Sequence, residues 1–296
     1  MKKRIFTGTA TAIVTPFAQD RSVDYPALER LLEFQIKNGI NAIVVCGTTG
    51  EASTLSDDEH RKVIEFAIEK VKGRVPVIAG VGSNDTAYAV ELSKFAESAG
   101  ADALLHVNPY YNKTSHGGLI KHYFTIADST GLPVMIYNVP SRTGMNITPA
   151  AYKDLSKHEN LVAVKEANGD MQSVVRTRAL CGDDLDFYTG EDHNIVTMLS
   201  LGGYGAVSVL SNILPKETGD ICRFFFEGKI KESAALQIKY SSLIDALFCE
   251  PNPIPVKTAM MMMGLCGGHL RLPLCEMDET NAAGLRKAMT DVGIKV

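Results

Sequence analysis

A chain of 296 residues, 45% hydrophobic and 22% charged, can bury a large core: one α/β barrel of about 250 residues with an appendage, or two medium domains. Lys and Arg total 30 against 34 Asp and Glu, a net charge of −4, so there is no basic field for nucleic acid or an anionic membrane. No apolar run approaches the roughly 18 residues that a membrane span requires.

From residue 5 to about 226 the chain alternates short apolar runs with longer amphipathic segments. The runs fall at 9–14, 41–45, 75–79, 103–107, 134–137, 161–164, 185–188 and 206–210. They are rich in Val, Ile and Ala and apolar on both faces, as buried parallel strands are. Between them, 25–38, 57–72, 85–98 and 117–129 place apolar residues at i, i+3, i+4 and i+7, which predicts one-sided helices. Asp24, Ser56, Asn84 and Thr148 mark helix starts, and Gly39, Gly73, Gly100 and Gly131 mark stops. An open doubly wound sheet alternates in the same way. Eight regular units with no shift in composition favour closure into a (β/α)8 TIM barrel.

Beyond Phe226 the strand pattern stops. Segments 229–248, 256–265 and 278–290 predict helices, separated by Pro251-Asn252-Pro253-Ile254-Pro255 and a Gly- and Pro-containing stretch at 267–273. The expected organisation is a catalytic barrel over 1–226 and a C-terminal helical region over 227–296, an appendage and not a second catalytic domain.

Barrel chemistry takes place at the C-terminal ends of strands, so the residues after each run are the candidates. The second run ends in Gly47-Thr48-Thr49-Gly50-Glu51, the fourth in Asn108-Pro109-Tyr110-Tyr111 and the fifth in Tyr137 and Arg142. The sixth ends in Lys165-Glu166 and the seventh in Gly190-Glu191-Asp192. Lys165 closes a strand buried on both faces, so its ammonium is expected to face the interior. Desolvation there lowers its pKa, and each unit multiplies the neutral amine about tenfold. A neutral amine attacks a ketone to form a Schiff base, an electron sink for carbanion chemistry. The same lysine could equally snorkel to solvent or pair with Glu166.

Tyr137 is either a proton shuttle beside that amine or an aromatic plug with a wet hydroxyl. The Gly47–Gly50 turn offers hydroxyls and N–H groups to a small carboxylate. Arg142 is a bidentate carboxylate clamp if it points into the mouth, and a solvated arginine otherwise. Glu191 and Asp192 would repel a phosphate, which points to an unphosphorylated substrate.

The seven histidines form no HExxH pattern, so no metal is expected. Gly202-Gly203-Tyr204-Gly205 precedes a strand, unlike a nucleotide loop. The run Met260–Met263 reads as core filler. Six scattered cysteines without a CxxC pair fit reduced thiols in a cytoplasm. Met1-Lys2-Lys3-Arg4 resembles a signal n-region, but Thr7, Thr9, Thr11, Thr15 and Pro16 leave no h-region after it.

Several motifs together resemble the dihydrodipicolinate synthase group of the pyruvate-dependent class I aldolases, the family that also holds N-acetylneuraminate lyase. They are Gly47-Thr48-Thr49-Gly50-Glu51, Asn108-Pro109-Tyr110-Tyr111-Asn112-Lys113, Tyr137-Asn138-Val139-Pro140-Ser141-Arg142-Thr143-Gly144, Val164-Lys165-Glu166 and Asn252-Pro253-Ile254-Pro255-Val256-Lys257. They span nearly the whole chain in the expected order.

The resemblance implies that Lys165 forms the Schiff base with pyruvate, without a cofactor. It implies a proton relay of Tyr137, Thr48 and Tyr111, with Tyr111 crossing from a neighbouring subunit. Thr49 would hold the pyruvate carboxylate, Gly190 and the backbone at Val207 would line the pocket, and Arg142 would grip the carboxylate of L-aspartate 4-semialdehyde. The product would enter lysine and diaminopimelate biosynthesis, and a homotetramer built as a dimer of dimers would be usual.

The chain also departs from the pattern. Thr114 stands where a proline is frequent. Tyr88 stands where lysine-inhibited relatives carry a glutamate, although His60, Asn84 and Tyr110 are present. Feedback by lysine is therefore expected to be weak or absent, and strong inhibition at sub-millimolar lysine would refute that. Two other functions compete with the synthase. A sugar-acid lyase would need a hydroxyl-reading pocket where Arg142 stands, and a non-catalytic keto-acid binder would have little use for relay groups.

Overall fold

Eight parallel strands follow one another around a closed barrel in a computed structural model that describes residues 2–296. They are β1 (Gly8–Ala12), β2 (Ala42–Val45), β3 (Val77–Gly80), β4 (Ala103–Val107), β5 (Val134–Asn138), β6 (Leu161–Glu166), β7 (Asp186–Thr189) and β8 (Gly205–Ser208). β8 returns to pair with β1. The outer ring is formed by α1 (Tyr25–Lys37), α2 (Asp57–Val71), α3 (Thr86–Ala99), α4 (His116–Asp128), α5 (Pro140–Thr143), α6 (Pro149–Leu155), α7 (Met171–Cys181), α8 (Ile195–Ser200) and α9 (Pro215–Phe226). After it come α10 (Ile230–Lys239), α11 (Ser241–Leu247), α12 (Ile254–Met262) and α13 (Glu279–Asp291). Among the described residues no helix is long and apolar enough to cross a membrane.

Strand side chains alternate between two cores because successive residues point to opposite faces. Ala42, Val44, Met135, Tyr137, Ala163, Tyr188 and Val207 fill the barrel. Ile43, Val45, Ile136, Val164 and Phe187 face the helices. That outer core continues without a break into the C-terminal helices through Leu243, Ile244, Leu247, Val256, Met260, Leu285 and Met289. Phe6, just before β1, stacks on Tyr188, with ring centroids 4.3 Å apart.

Caps set most helix boundaries. Asp24 and Thr148 accept from Ala27 and Ala151 N–H groups, and Ser56 forms a reciprocal capping box with Glu59. Gly100 ends α3 in the left-handed region at φ 91°.

Five expectations are corrected. α3 is capped by Asp85, which accepts from Ala87 N–H, while Asn84 donates to the Tyr110 carbonyl. Gly131 lies beyond the end of α4, its N–H held by Glu97. The expected helix 229–248 breaks at Tyr240, whose ring is buried in the outer core between α10 and α11. β8 stops at Ser208 because the Val209 and Leu210 N–H groups bond to the Asp192 carboxylate instead of to a strand. Of the four methionines only Met260 is fully buried, and Met261 is 50% exposed.

Candidate active site

Period-two alternation along β6 puts Ala163 and Lys165 inside the barrel and Val164 and Glu166 outside. The β5–β6 register sets Tyr137 opposite Lys165, and the β6–β7 register sets Tyr188 on its other side. Lys165 is 5% exposed, and its Nζ lies 4.1 Å from the centroid of the Tyr137 ring. Burial pushes its pKa down to about 7; Asp192 opposes the shift and Arg142 adds to it. Pairing with Glu166 is ruled out. That carboxylate accepts from Tyr152 Oη and Asn138 Nδ2, both at 2.9 Å, and burial raises its own pKa to about 7.

Tyr137 is enclosed too. Burial raises its phenol pKa, while Arg142 and the Thr48 hydroxyl beside it pull the other way. Gly190 follows β7 and leaves room for the amine: a Cβ there would lie 2.9 Å from Lys165 Cε and 3.0 Å from Ala167 Cβ. Val207 faces the barrel interior from β8, in the same apolar cluster as Tyr137 and Tyr188.

The turn after β2 is held in a strained shape, with Cys46 at φ 54° and Glu51 at φ 51°. Thr48 faces the mouth with Tyr137 and Arg142, around a cavity of about 590 Å³. Thr49 is buried behind it, its Oγ1 accepting from Asn252 Nδ2 at 2.9 Å. Arg142 projects from α5 and donates through Nη2 to the Asn252 carbonyl at 3.0 Å. The arginine therefore points into the mouth. His60, Tyr88 and Tyr110 also line this cavity, and the Tyr88 hydroxyl donates to Asp57 at 2.7 Å.

Thr48, Tyr137 and Arg142 thus line the mouth cavity, while Lys165 stands against the Tyr137 ring with Gly190 at its Cε, Thr49 is bound to Asn252 of the cavity wall, and Val207 faces the barrel interior. Tyr111 does not join them: it is 91% exposed, at φ 65°, and does not line the mouth cavity. Asp192 is also not a group of the mouth, because its buried carboxylate accepts from two N–H groups after β8. Among the described residues no cluster of three or more His, Cys, Asp or Glu is placed to hold a metal.

Three residues had no assigned role in the sequence reading. Asn252 holds both Thr49 and Arg142, and the buried Lys257 on α12 donates to Glu51 of the strained turn and to the His269 carbonyl. A proline-rich segment signals only a loop. Nothing local shows that this loop reaches the mouth.

A family model described as the dihydrodipicolinate synthetase family matches residues 5–292. A curated relative from Caldicellulosiruptor saccharolyticus, named 4-hydroxy-tetrahydrodipicolinate synthase, is 53% identical over 292 residues, 99% of each chain. The crystal structure of dihydrodipicolinate synthase from Aquifex aeolicus superposes with a TM-score of 0.96 at 41% identity, covering 98% of this chain and 99% of that one. The chloride-inhibited dihydrodipicolinate synthase from Acinetobacter baumannii, solved with pyruvate, gives 0.95 at 42% identity over 97% of this chain and 99% of that one. With sequence and fold agreeing from end to end, the chain belongs to the dihydrodipicolinate synthetase family.

Proposed function

We propose that the chain condenses pyruvate with L-aspartate 4-semialdehyde on Lys165, the 4-hydroxy-tetrahydrodipicolinate synthase reaction of lysine and diaminopimelate biosynthesis. The observation that carries this reading is the enclosed Lys165 amine against Tyr137, with no hydrogen-bonded carboxylate among the influences on it. At a pKa of about 7 roughly half of it is neutral at pH 7.

The neutral Nζ adds to C2 of pyruvate, and loss of water leaves an imine. A C3 proton departs to give the enamine, whose C3 bonds to the aldehyde carbon of the second substrate. The amino group of that substrate then attacks C2, which closes the ring and frees Lys165. Tyr137 carries protons through these steps, in a relay with Thr48 and Tyr111. Thr49 holds the pyruvate carboxylate, Gly190 and Val207 shape the pocket, and Arg142 receives the carboxylate of the semialdehyde.

The exposure of Tyr111 supports its insertion into a partner's relay, with a dimer as the minimal catalytic unit; the assembly proposed is a homotetramer, as the family resemblance implies. Free cysteines support a cytoplasmic setting. Tyr88, engaged with Asp57, supports weak or absent lysine feedback.

Pyruvate and borohydride, followed by mass spectrometry of the peptide containing Lys165, test the central step. Added mass on Lys165 is expected; none would leave only a keto-acid binder. A sugar-acid lyase is the second reading, and the charge of Arg142 disfavours it. R142A should lower kcat/KM for the semialdehyde by roughly ten- to a hundredfold while labelling by pyruvate changes little. Equal damage to both would remove Arg142 from its role.

A further inference from the structure

Asn252 lies in the connection between α11 and α12 and is buried. It touches both carboxylate-binding groups by different atoms. Its side-chain nitrogen donates to Thr49 Oγ1 at 2.9 Å, and its main-chain oxygen accepts from Arg142 at 3.0 Å. Its Oδ1 is buried and, among the described residues, has no partner. Turning the amide round would leave two N–H donors at that unpartnered place instead of one acceptor, a worse arrangement. The connection is itself anchored, because Lys257 five residues on is bound to Glu51 and to the His269 carbonyl.

A hydroxyl has one hydrogen and two acceptor lone pairs. When a neighbouring N–H feeds the oxygen, the hydroxyl hydrogen is free to point elsewhere. We propose that Asn252 is a positioning residue that fixes the polarity of Thr49, so that the threonine O–H is reserved for the pyruvate carboxylate. The proposal rests on the Schiff-base reading above, in which Thr49 holds that carboxylate. An aspartate at 252 has nearly the same shape but accepts only when ionised. It would capture the Thr49 hydrogen and set a negative charge beside the substrate's own.

The isosteric change is therefore the damaging one. N252D should raise the pyruvate concentration for half-maximal borohydride labelling by roughly thirtyfold or more, and N252A by only about three- to tenfold. The semialdehyde KM should stay within about twofold in both, because the main-chain carbonyl that orients Arg142 remains. In a T49V background N252D should add a clearly smaller loss than in the wild type, since the hydroxyl whose direction it reverses is gone and only the repulsion between the two negative charges remains.

A role confined to packing predicts the opposite order, with N252D mild and N252A severe; that order would overturn the proposal, as would a parallel rise in both KM values. If N252A does not fold, as thermal melts would show, N252D alone and in T49V still decides. Wild-type protein labelled alongside separates the two ideas. Absence of label there counts against the Schiff base, whereas normal wild-type label with an indifferent N252D counts against the assignment of Asn252.

Discussion

Two lysines are enclosed among the described residues, and their surroundings differ in one respect. Lys257, with no exposed surface, is held by the Glu51 carboxylate and the His269 carbonyl, and lies 4.0 Å from the centroid of the Phe17 ring. Lys165, almost as deeply placed, meets the Tyr137 ring and feels Asp192 and Arg142 only through space. Burial pushes both amines down; at Lys257 a bound carboxylate opposes it, at Lys165 only a more distant charge does. Partnership, more than depth, separates an amine that fastens the C-terminal segment to the turn after β2 from one free to react. A carboxylate bound to Lys165 would hold its proton and silence it as a nucleophile.

The largest test of that contrast is K165A. It should abolish labelling by pyruvate and lower turnover by about four orders of magnitude or more, since the covalent route is lost. Folding, followed by thermal melts, should change little. On the other side of the comparison, K257M leaves Glu51 buried without its cation and should cost about 3–5 kcal/mol of stability. Removing the stranded charge as well, in E51Q/K257M, should restore part of it in urea titrations. A K257M protein as stable as the wild type would show that the pair fastens nothing.

The pH dependence sharpens the same point. With the pKa of Lys165 lowered to about 7, the neutral amine grows about tenfold per pH unit below 7 and levels off above about 8. Labelling rates at limiting pyruvate should follow that curve. A rise continuing toward pH 10 would mean that the amine keeps its ordinary affinity for a proton. The smallest effect is expected from G190A, whose methyl group would press on Lys165 Cε. We expect labelling to slow by about three- to tenfold with a stability cost near 1 kcal/mol. Unchanged labelling would show that the amine has room to spare.

Much of this was legible in the residues. The alternation of apolar runs with one-sided helices gave eight strand–helix units, and the mouth residues followed from asking what ends each strand. Strand parity then decided what composition left open: Lys165 shares the inner face with Tyr137, and Glu166, its sequence neighbour, belongs to the outer one. Boundaries were legible at Ser56, whose cap is local, one residue off at α3, where Asn84 and Asp85 adjoin and only Asp85 caps, and not legible where a distant group intervenes. Asp192 ends β8 by taking its N–H groups, and the burial of the Tyr240 ring accompanies the split of a predicted helix. Arg142 could not be aimed from sequence because the carbonyl that aims it lies 110 residues away.

Periodicity and strand-end chemistry, both short-range properties of the chain, thus favoured the barrel over an open sheet and singled out its strand ends and Lys165 as the lysine to watch. The roles of Asn252, Lys257 and Glu51 were decided only by tertiary structure. A buried polar group takes its function from whichever partner the fold brings within hydrogen-bond reach, and here that partner lies more than 200 residues away.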